Sequence, residues 1–138
     1  MNHAWAQHWI TLFADRTDEL ITLYADQFEF EDVNLGVHIT NDKIALRQFF
    51  LNFVSNNSEQ SYNRLNVIDY VGDERLGIVQ WTWDSKHAGD FLGVPAAGKM
   101  TSTRGMTMLG FRGGKIVQER AIWDVLPVMR QLGIMPSL

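Results

Sequence analysis

The stretch GDFLGVPAAGKMT, residues 89–101, decides how this chain is read. Gly93, Gly98 and Lys99 stand at the spacing G-x-x-x-x-G-K, the mark of a loop that cradles nucleotide phosphates. Such a loop follows a buried strand, opens a helix, and carries Ser or Thr directly after the lysine to hold magnesium. Here Met100 follows Lys99, and TSTRGMTMLGF (residues 101–111) alternates as a strand does. Pro95 removes a backbone N–H where the cradle would need a donor. The spacing is therefore a coincidence, and the glycines belong to a crossover between two antiparallel strands.

Working outward from that crossover, the carboxyl-terminal half has a period of two. Strands are predicted near 63–71, 75–86, 101–112 and 115–124, with RGGK at 112–115 as a tight Gly-Gly hairpin turn. A short helix follows in LPVMRQLG, stopped by Gly133. The amino-terminal half is helical instead. Trp5, Trp9, Leu12 and Phe13 make one apolar face, and Leu20, Ile21, Leu23 and Tyr24 repeat it in a second short helix. DQFEFED (residues 26–32) alternates, with Phe28, Phe30 and Asp32 on one side. VNLGVHITNDK reads as a loop ending at Asn41, a candidate N-cap. The helix after it stacks Leu46, Phe49, Phe50 and Phe53. Helices first and antiparallel strands afterwards imply an α+β fold with helices across one face of a curved sheet.

Composition bounds the function. A chain of 138 residues with a 46% hydrophobic share is a single domain, residues 1–138, with a real core. The net charge of −4, without a basic block, argues against nucleic acid as a partner. Without cysteine there is no disulfide, zinc–thiolate site or thiol nucleophile. His3, His8 and His38 have no metal-ligand spacing, and neither a signal peptide nor a membrane span is read. The expectation is a soluble cytoplasmic domain that needs no metal or other cofactor. Five Trp and eight Phe are what an apolar pocket for an aromatic or otherwise apolar small molecule requires.

The segment WTWDSKHAGDFLGVPAAGK followed by TRGMTMLGFRGGKIVQERAIWDVLPVMRQLG resembles the SnoaL-like polyketide cyclases of the nuclear transport factor 2-like superfamily. The pattern is H-x-G-x-F-x-G-x-P-x-x-G-K, then a strand with R-G, a G-K-I hairpin, an acidic strand, and W-D before a helix ending Q-L-G. His87, Gly89, Phe91, Gly93, Pro95, Gly98, Lys99, Arg104, Gly105, Gly114, Lys115, Ile116, Glu119, Trp123 and Asp124 carry it. LYADQFEFEDVNLG extends it more loosely into the first half. The resemblance implies a cystatin-like cone: a strongly curved mixed sheet wrapped around about three helices, enclosing an apolar pocket, usually as a homodimer. It also implies a cofactor-independent cyclase or isomerase acting by acid/base chemistry on a carbonyl substrate. Relatives on this cone include non-catalytic proteins, so a small-molecule-binding or accessory module is the alternative.

Candidate residues follow. Counting back from the hairpin turn places Ile116, Gln118, Arg120, Ile122 and Asp124 on one face, opposite Phe111, Leu109, Thr107, Gly105 and Thr103. Asp124 is then the leading acid/base candidate, the role that the resembled cyclases give an aspartate near here; it also suits an N-cap before Val125. Asp32 is the second carboxylate, facing the pocket or bonding its own loop backbone. His87 either moves a proton or holds the HAGDF turn. Trp81, Trp83, Phe53 and Ile122 would contact substrate, and Arg120 would hold an acidic substituent. Met106, Met108, Val117, Ala121 and Trp123 form the opposite, dimerising face.

Overall fold

The computed structural model describes residues 1–55 and 61–134. The chain opens with helix α1 (His3–Thr11), whose first turn is capped by Asn2: its Oδ1 accepts the Trp5 amide at 2.9 Å. Ala6, Trp9 and Ile10 are its buried side. A one-turn helix α2 (Thr17–Ile21) leads into strand β1 (Tyr24–Asp32), where Tyr24, Phe28, Phe30 and Asp32 are buried. The stretch expected to be a loop contains a strand of its own, β2 (Val37–Thr40), paired antiparallel with β1. Its side chains are alternately half-buried and exposed, as on a sheet edge, so hydrophobicity gives it little signal.

Helix α3 (Lys43–Phe50) is capped by Asp42 rather than by Asn41. Asp42 Oδ1 accepts the Ala45 amide at 3.0 Å. Asn41 takes a left-handed conformation (φ 56°), and its side chain accepts the Phe28 amide at 2.8 Å, joining the helix start to β1. A short 3-10 turn, Leu51–Phe53, continues α3.

The remaining strands are β3 (Tyr62–Gly72), β4 (Leu76–Lys86), β5 (Met100–Arg112) and β6 (Lys115–Trp123), followed by helix α4 (Val125–Gln131). The sheet order is β2-β1-β6-β5-β4-β3, antiparallel except where β1 lies parallel to β6. A parallel neighbour needs a long crossover, and here nearly the whole chain serves as one. Register shifts interrupt the β1–β6, β3–β4 and β5–β6 ladders. Such bulges bend strands and increase their twist, which curls this open sheet around the helices.

The decisive loop lies between β4 and β5. Phe91 and Val94 bridge across a turn in which Leu92 (φ 53°) and Gly93 (φ 76°) are both left-handed. Gly98 donates its amide to His87 O at 2.8 Å, and Met100 begins β5. Lys99 reaches the other way: Nζ donates to Leu132 O at the end of α4, where a helix presents unsatisfied carbonyls.

Candidate active site

The concave face of the sheet holds an aromatic core. Phe13 meets Phe50 edge-on at 5.0 Å, Phe30 meets Phe50 at 5.6 Å, and Trp83 meets Trp123 at 5.7 Å. Within it lies a cavity of about 50 Å³, room for a few waters or the reacting end of a ligand. Its walls include Trp9, Phe30, Phe49, Phe50, Phe53, Trp81, Trp83 and Trp123. Among the described residues, two carboxyl groups, Asp32 and Glu119, interrupt them, and no Lys, Arg or His lines the space.

Glu119 comes from the middle of β6 and is only 4% exposed. Tyr24, on the neighbouring strand β1, donates its phenol O–H to Glu119 Oε1, and Trp9 Nε1 donates to the same phenol oxygen at 3.4 Å. Burial disfavours the charged carboxylate and pushes Glu119 up to about 8, partly offset by the Tyr24 bond and reinforced by the charge of Asp32. Tyr24 is itself raised well above the ordinary phenol range by burial and by its proximity to Glu119. Burial thus favours the neutral acid form of Glu119.

Asp32 ends β1 and is also 4% exposed. Its Oδ1 accepts the Leu35 amide at 3.0 Å and Trp123 Nε1 at 3.4 Å. Burial raises its pKa, while those donors and the Asn34 backbone pull it back down. Two N–H hydrogen bonds, with the Asn34 backbone beside them, favour the anion at Asp32, against one phenol at Glu119, so the surroundings favour ionisation more at Asp32 than at Glu119. Asn34 fastens the loop beyond it, its side chain donating to Trp123 O and accepting from Trp123 N, both at 2.9 Å.

Beside the inner cavity lies a second, outer pocket of about 370 Å³, a mouth-like space separated from it by the shared wall of Phe49, Phe53 and Trp83. This mouth is more polar, with Asn52, Asn63, Ser85, His87 and Asp90 among its residues. His87 is stacked on Phe91 at 4.7 Å and its Nε2 lies 2.8 Å from Thr101 Oγ1. Burial lowers its pKa, so the ring is neutral near pH 7.

A family model described as SnoaL-like polyketide cyclase matches residues 3–132, nearly the whole chain. The chain belongs to the SnoaL-like polyketide cyclase family. Among solved structures, AclR of Streptomyces galilaeus, a candidate hydroxylase, superposes with a TM-score of 0.75 at 18% identity, covering 98% of this chain and 82% of that one. IdmH of Streptomyces antibioticus, a candidate polyketide cyclase, gives 0.70 at 21% identity over 93% and 94%. A candidate ketosteroid isomerase from Kribbella flavida gives 0.62 at 16% over 88% and 76%. These likenesses show a shared fold. A search of curated proteins finds no match.

This SnoaL-like domain divides the expected site residues between its two faces. Asp32, Trp81 and Trp83 line the inner cavity, with Phe53 and Trp83 also on the mouth, and His87 lies on the mouth alone. Trp81 and Trp83 are held by Nε1 bonds to Thr107 Oγ1 and Asn63 Oδ1, each 2.9 Å. Arg120, Ile122 and Asp124 lie elsewhere. Arg120 is exposed and pairs with Glu31 at 2.9 Å, so it holds no substituent inside the cavity. Ile122 is 55% exposed. Asp124 is exposed and caps α4, its Oδ1 accepting the Leu126 amide at 3.3 Å.

One bulge accounts for all three. Phe111 pairs with Ile116 as expected, but Gly110 then pairs with Gln118, leaving Val117 as an extra residue. Every later position of β6 is thereby turned over. Leu109 faces Glu119, Thr107 faces Ala121, and Gly105 faces Trp123. Ala121 and Trp123 accordingly leave the expected dimerising face and are buried inside, so Arg104 and Trp123 lie on opposite sides of the sheet. Glu119 is the functional candidate that counting missed. The available signal was Gly110, a glycine inside a strand, which often marks a bulge.

Among the described residues no cluster of His, Cys, Asp or Glu could hold a metal ion, and no helix is long and apolar enough to cross a membrane.

Proposed function

We propose that this protein is an acid/base catalyst for a small carbonyl compound, with Asp32 as the base and Glu119 as the acid. The observation that carries the reading is a pair of buried carboxyl groups in one aromatic cavity, with environments that separate their ionisation. Asp32 takes a proton from the carbon beside the carbonyl, and the electron pair moves toward the carbonyl oxygen. Glu119 donates its hydrogen bond, and then its proton, to that oxygen, giving an enol. Return of the Asp32 proton to another carbon of an unsaturated ketone, with the enol proton passing back to Glu119, yields an isomer. Attack of the enol carbon on a second carbonyl of the same molecule closes a ring, the Asp32 proton going to the new alkoxide oxygen and the enol proton back to Glu119. The narrow inner cavity takes the reacting end, and the polar mouth takes the remainder. His87 serves at the mouth by positioning Phe91, and Asp124 serves as a helix cap.

The outer face of the sheet exposes Ile68, Ile78, Met106 and Ile122 beside a shallow groove, and we assign it to a homodimer contact. The small volume of the inner cavity favours one second reading, a binding module that holds its ligand in the mouth without chemistry.

Exchange of α-carbon hydrogen for deuterium separates the two readings. The protein is incubated in D2O with a series of ketones from acetone to 2-decalone and followed by NMR. The proposal expects exchange above the buffer rate for at least one ketone, abolished in Asp32→Asn with folding retained. Ketone binding without accelerated exchange would favour the binding module.

A further inference from the structure

The three buried side chains behind the cavity are joined in a fixed order. An indole N–H donates and accepts nothing, so Tyr24 Oη is the acceptor for Trp9 Nε1. The phenol has one proton, and the acceptor that it meets is Glu119 Oε1. Were the carboxyl proton on Oε1 and pointed at Tyr24, the phenol proton would be left buried without an acceptor, which is costly. The polarity therefore runs one way, from Trp9 through Tyr24 to Glu119. Among the described residues no fully enclosed side-chain oxygen lacks a partner, and Oε1 is the engaged oxygen of Glu119. Its Oε2 consequently opens on the cavity that Glu119 lines.

We propose that Trp9 and Tyr24 are positioning residues: they occupy Oε1 as an acceptor, confine the carboxyl proton of Glu119 to Oε2, and aim it at the ligand. The group recognised at that point is a neutral hydrogen-bond acceptor, a carbonyl oxygen rather than an ammonium or a carboxylate. As the proton moves onto the ligand, the phenol bond stabilises the carboxylate left behind. Among the described residues the groups facing Glu119 include Tyr24, Phe30 and Asp32 from β1, Trp9 from α1 and Leu109 from β5; of these Tyr24 and Asp32 titrate. This inference rests on the reading of Glu119 as the acid.

The test is the carboxyl titration of Glu119 in protein labelled with 13C at the glutamate side-chain carboxyl, its resonance assigned by comparison with Glu119→Gln. The wild-type midpoint is expected near 8. Tyr24→Phe removes the donor to the carboxylate and should raise that midpoint by about one pH unit. Uniform 3-fluorotyrosine, which keeps the shape of the core and makes the phenol a stronger donor, should lower it by a few tenths of a unit. A purely structural Tyr24 would change thermal stability and leave both midpoints where they were. Should Tyr24→Phe fail to fold, the fluorotyrosine protein decides the matter alone. A wild-type midpoint in the ordinary carboxylate range would overturn the acid reading of Glu119 itself. A midpoint near 8 that ignores the phenol would overturn the relay and leave the acid reading standing.

Discussion

Replacing Glu119 by Gln should remove a loss of stability with rising pH from one defined window. In the folded protein the carboxyl keeps its proton up to about 8, whereas its ordinary value is 4.5. Between those values the folded state binds more protons than the unfolded state, so stability falls as pH rises. The contribution of neutral Glu119 is complete below pH 4.5 and lost above about 8. Each pH unit across that window is worth about 1.4 kcal/mol, which makes roughly 5 kcal/mol an upper figure for the whole span. Glutamine can still accept the Tyr24 hydrogen bond through its amide oxygen and does not titrate. The stability of Glu119→Gln relative to wild type should therefore climb by as much as roughly 5 kcal/mol between pH 4 and pH 9. At about 3–4 °C per kcal/mol for a chain of this size, that is a relative gain in Tm of at most about 15–20 °C. Comparing the two proteins largely cancels His87, whose depressed pKa acts in the opposite direction, removing stability as pH falls below 6.5. The assay is thermal unfolding by circular dichroism at half-unit pH steps in buffers of matched ionic strength. Parallel profiles from pH 5 to 8 would refute the placement of a neutral Glu119 in the core.

Two further substitutions test the geometry. Asp124→Ala should cost about 1 kcal/mol through loss of the α4 cap and leave ketone exchange untouched; abolished exchange in a folded variant would return Asp124 to the site. Gly105→Ala would put a methyl group 2.6 Å from the Trp81 ring and 2.7 Å from Ile122 O, forcing the indole off Thr107. Urea unfolding should show a loss of about 1–3 kcal/mol with a changed tryptophan emission, and a neutral result would mean that Trp81 has room that the packing denies it.

The architecture was legible because its signals are local. Trp5 and Trp9 mark a helix face, although the helix stops before Leu12 and Phe13, which the apolar period includes with it; the alternation through Trp81, Trp83 and Ser85 marks a strand, and the turn from Phe91 to Val94 carries a glycine where φ is positive. The burial of one carboxyl group of the candidate site was legible in the same way, since Asp32 shares its parity with Phe28 and Phe30 on an uninterrupted count. That of Glu119 was not. Parity propagates one error to the end of a strand, and Val117 introduces that error three residues beyond the turn. A bulge depends on how Gly110 and Gln118 meet across two strands, where a Cβ on the glycine would sit 3.3 Å from that of the glutamine. Strand β2 was missed for a related reason: its pairing with β1 lies in backbone hydrogen bonds, which leave little mark on side-chain pattern.

The outward charges of Arg120 on β6 and Asp124 just beyond it have a bearing on how the strand finds its place. A chain that closed the hairpin without the extra residue would gain an uninterrupted ladder, and nothing in the turn forbids it. That slipped arrangement would carry Arg120 and Asp124 into a chamber of aromatic rings and push Trp123 out into water. Enclosing two ions with poor partners is worth several kcal/mol against it, far more than one restored backbone pair could return. Beyond the ion pair that Arg120 makes with Glu31 and the cap that Asp124 gives α4, their charges thus weigh against the neighbouring register.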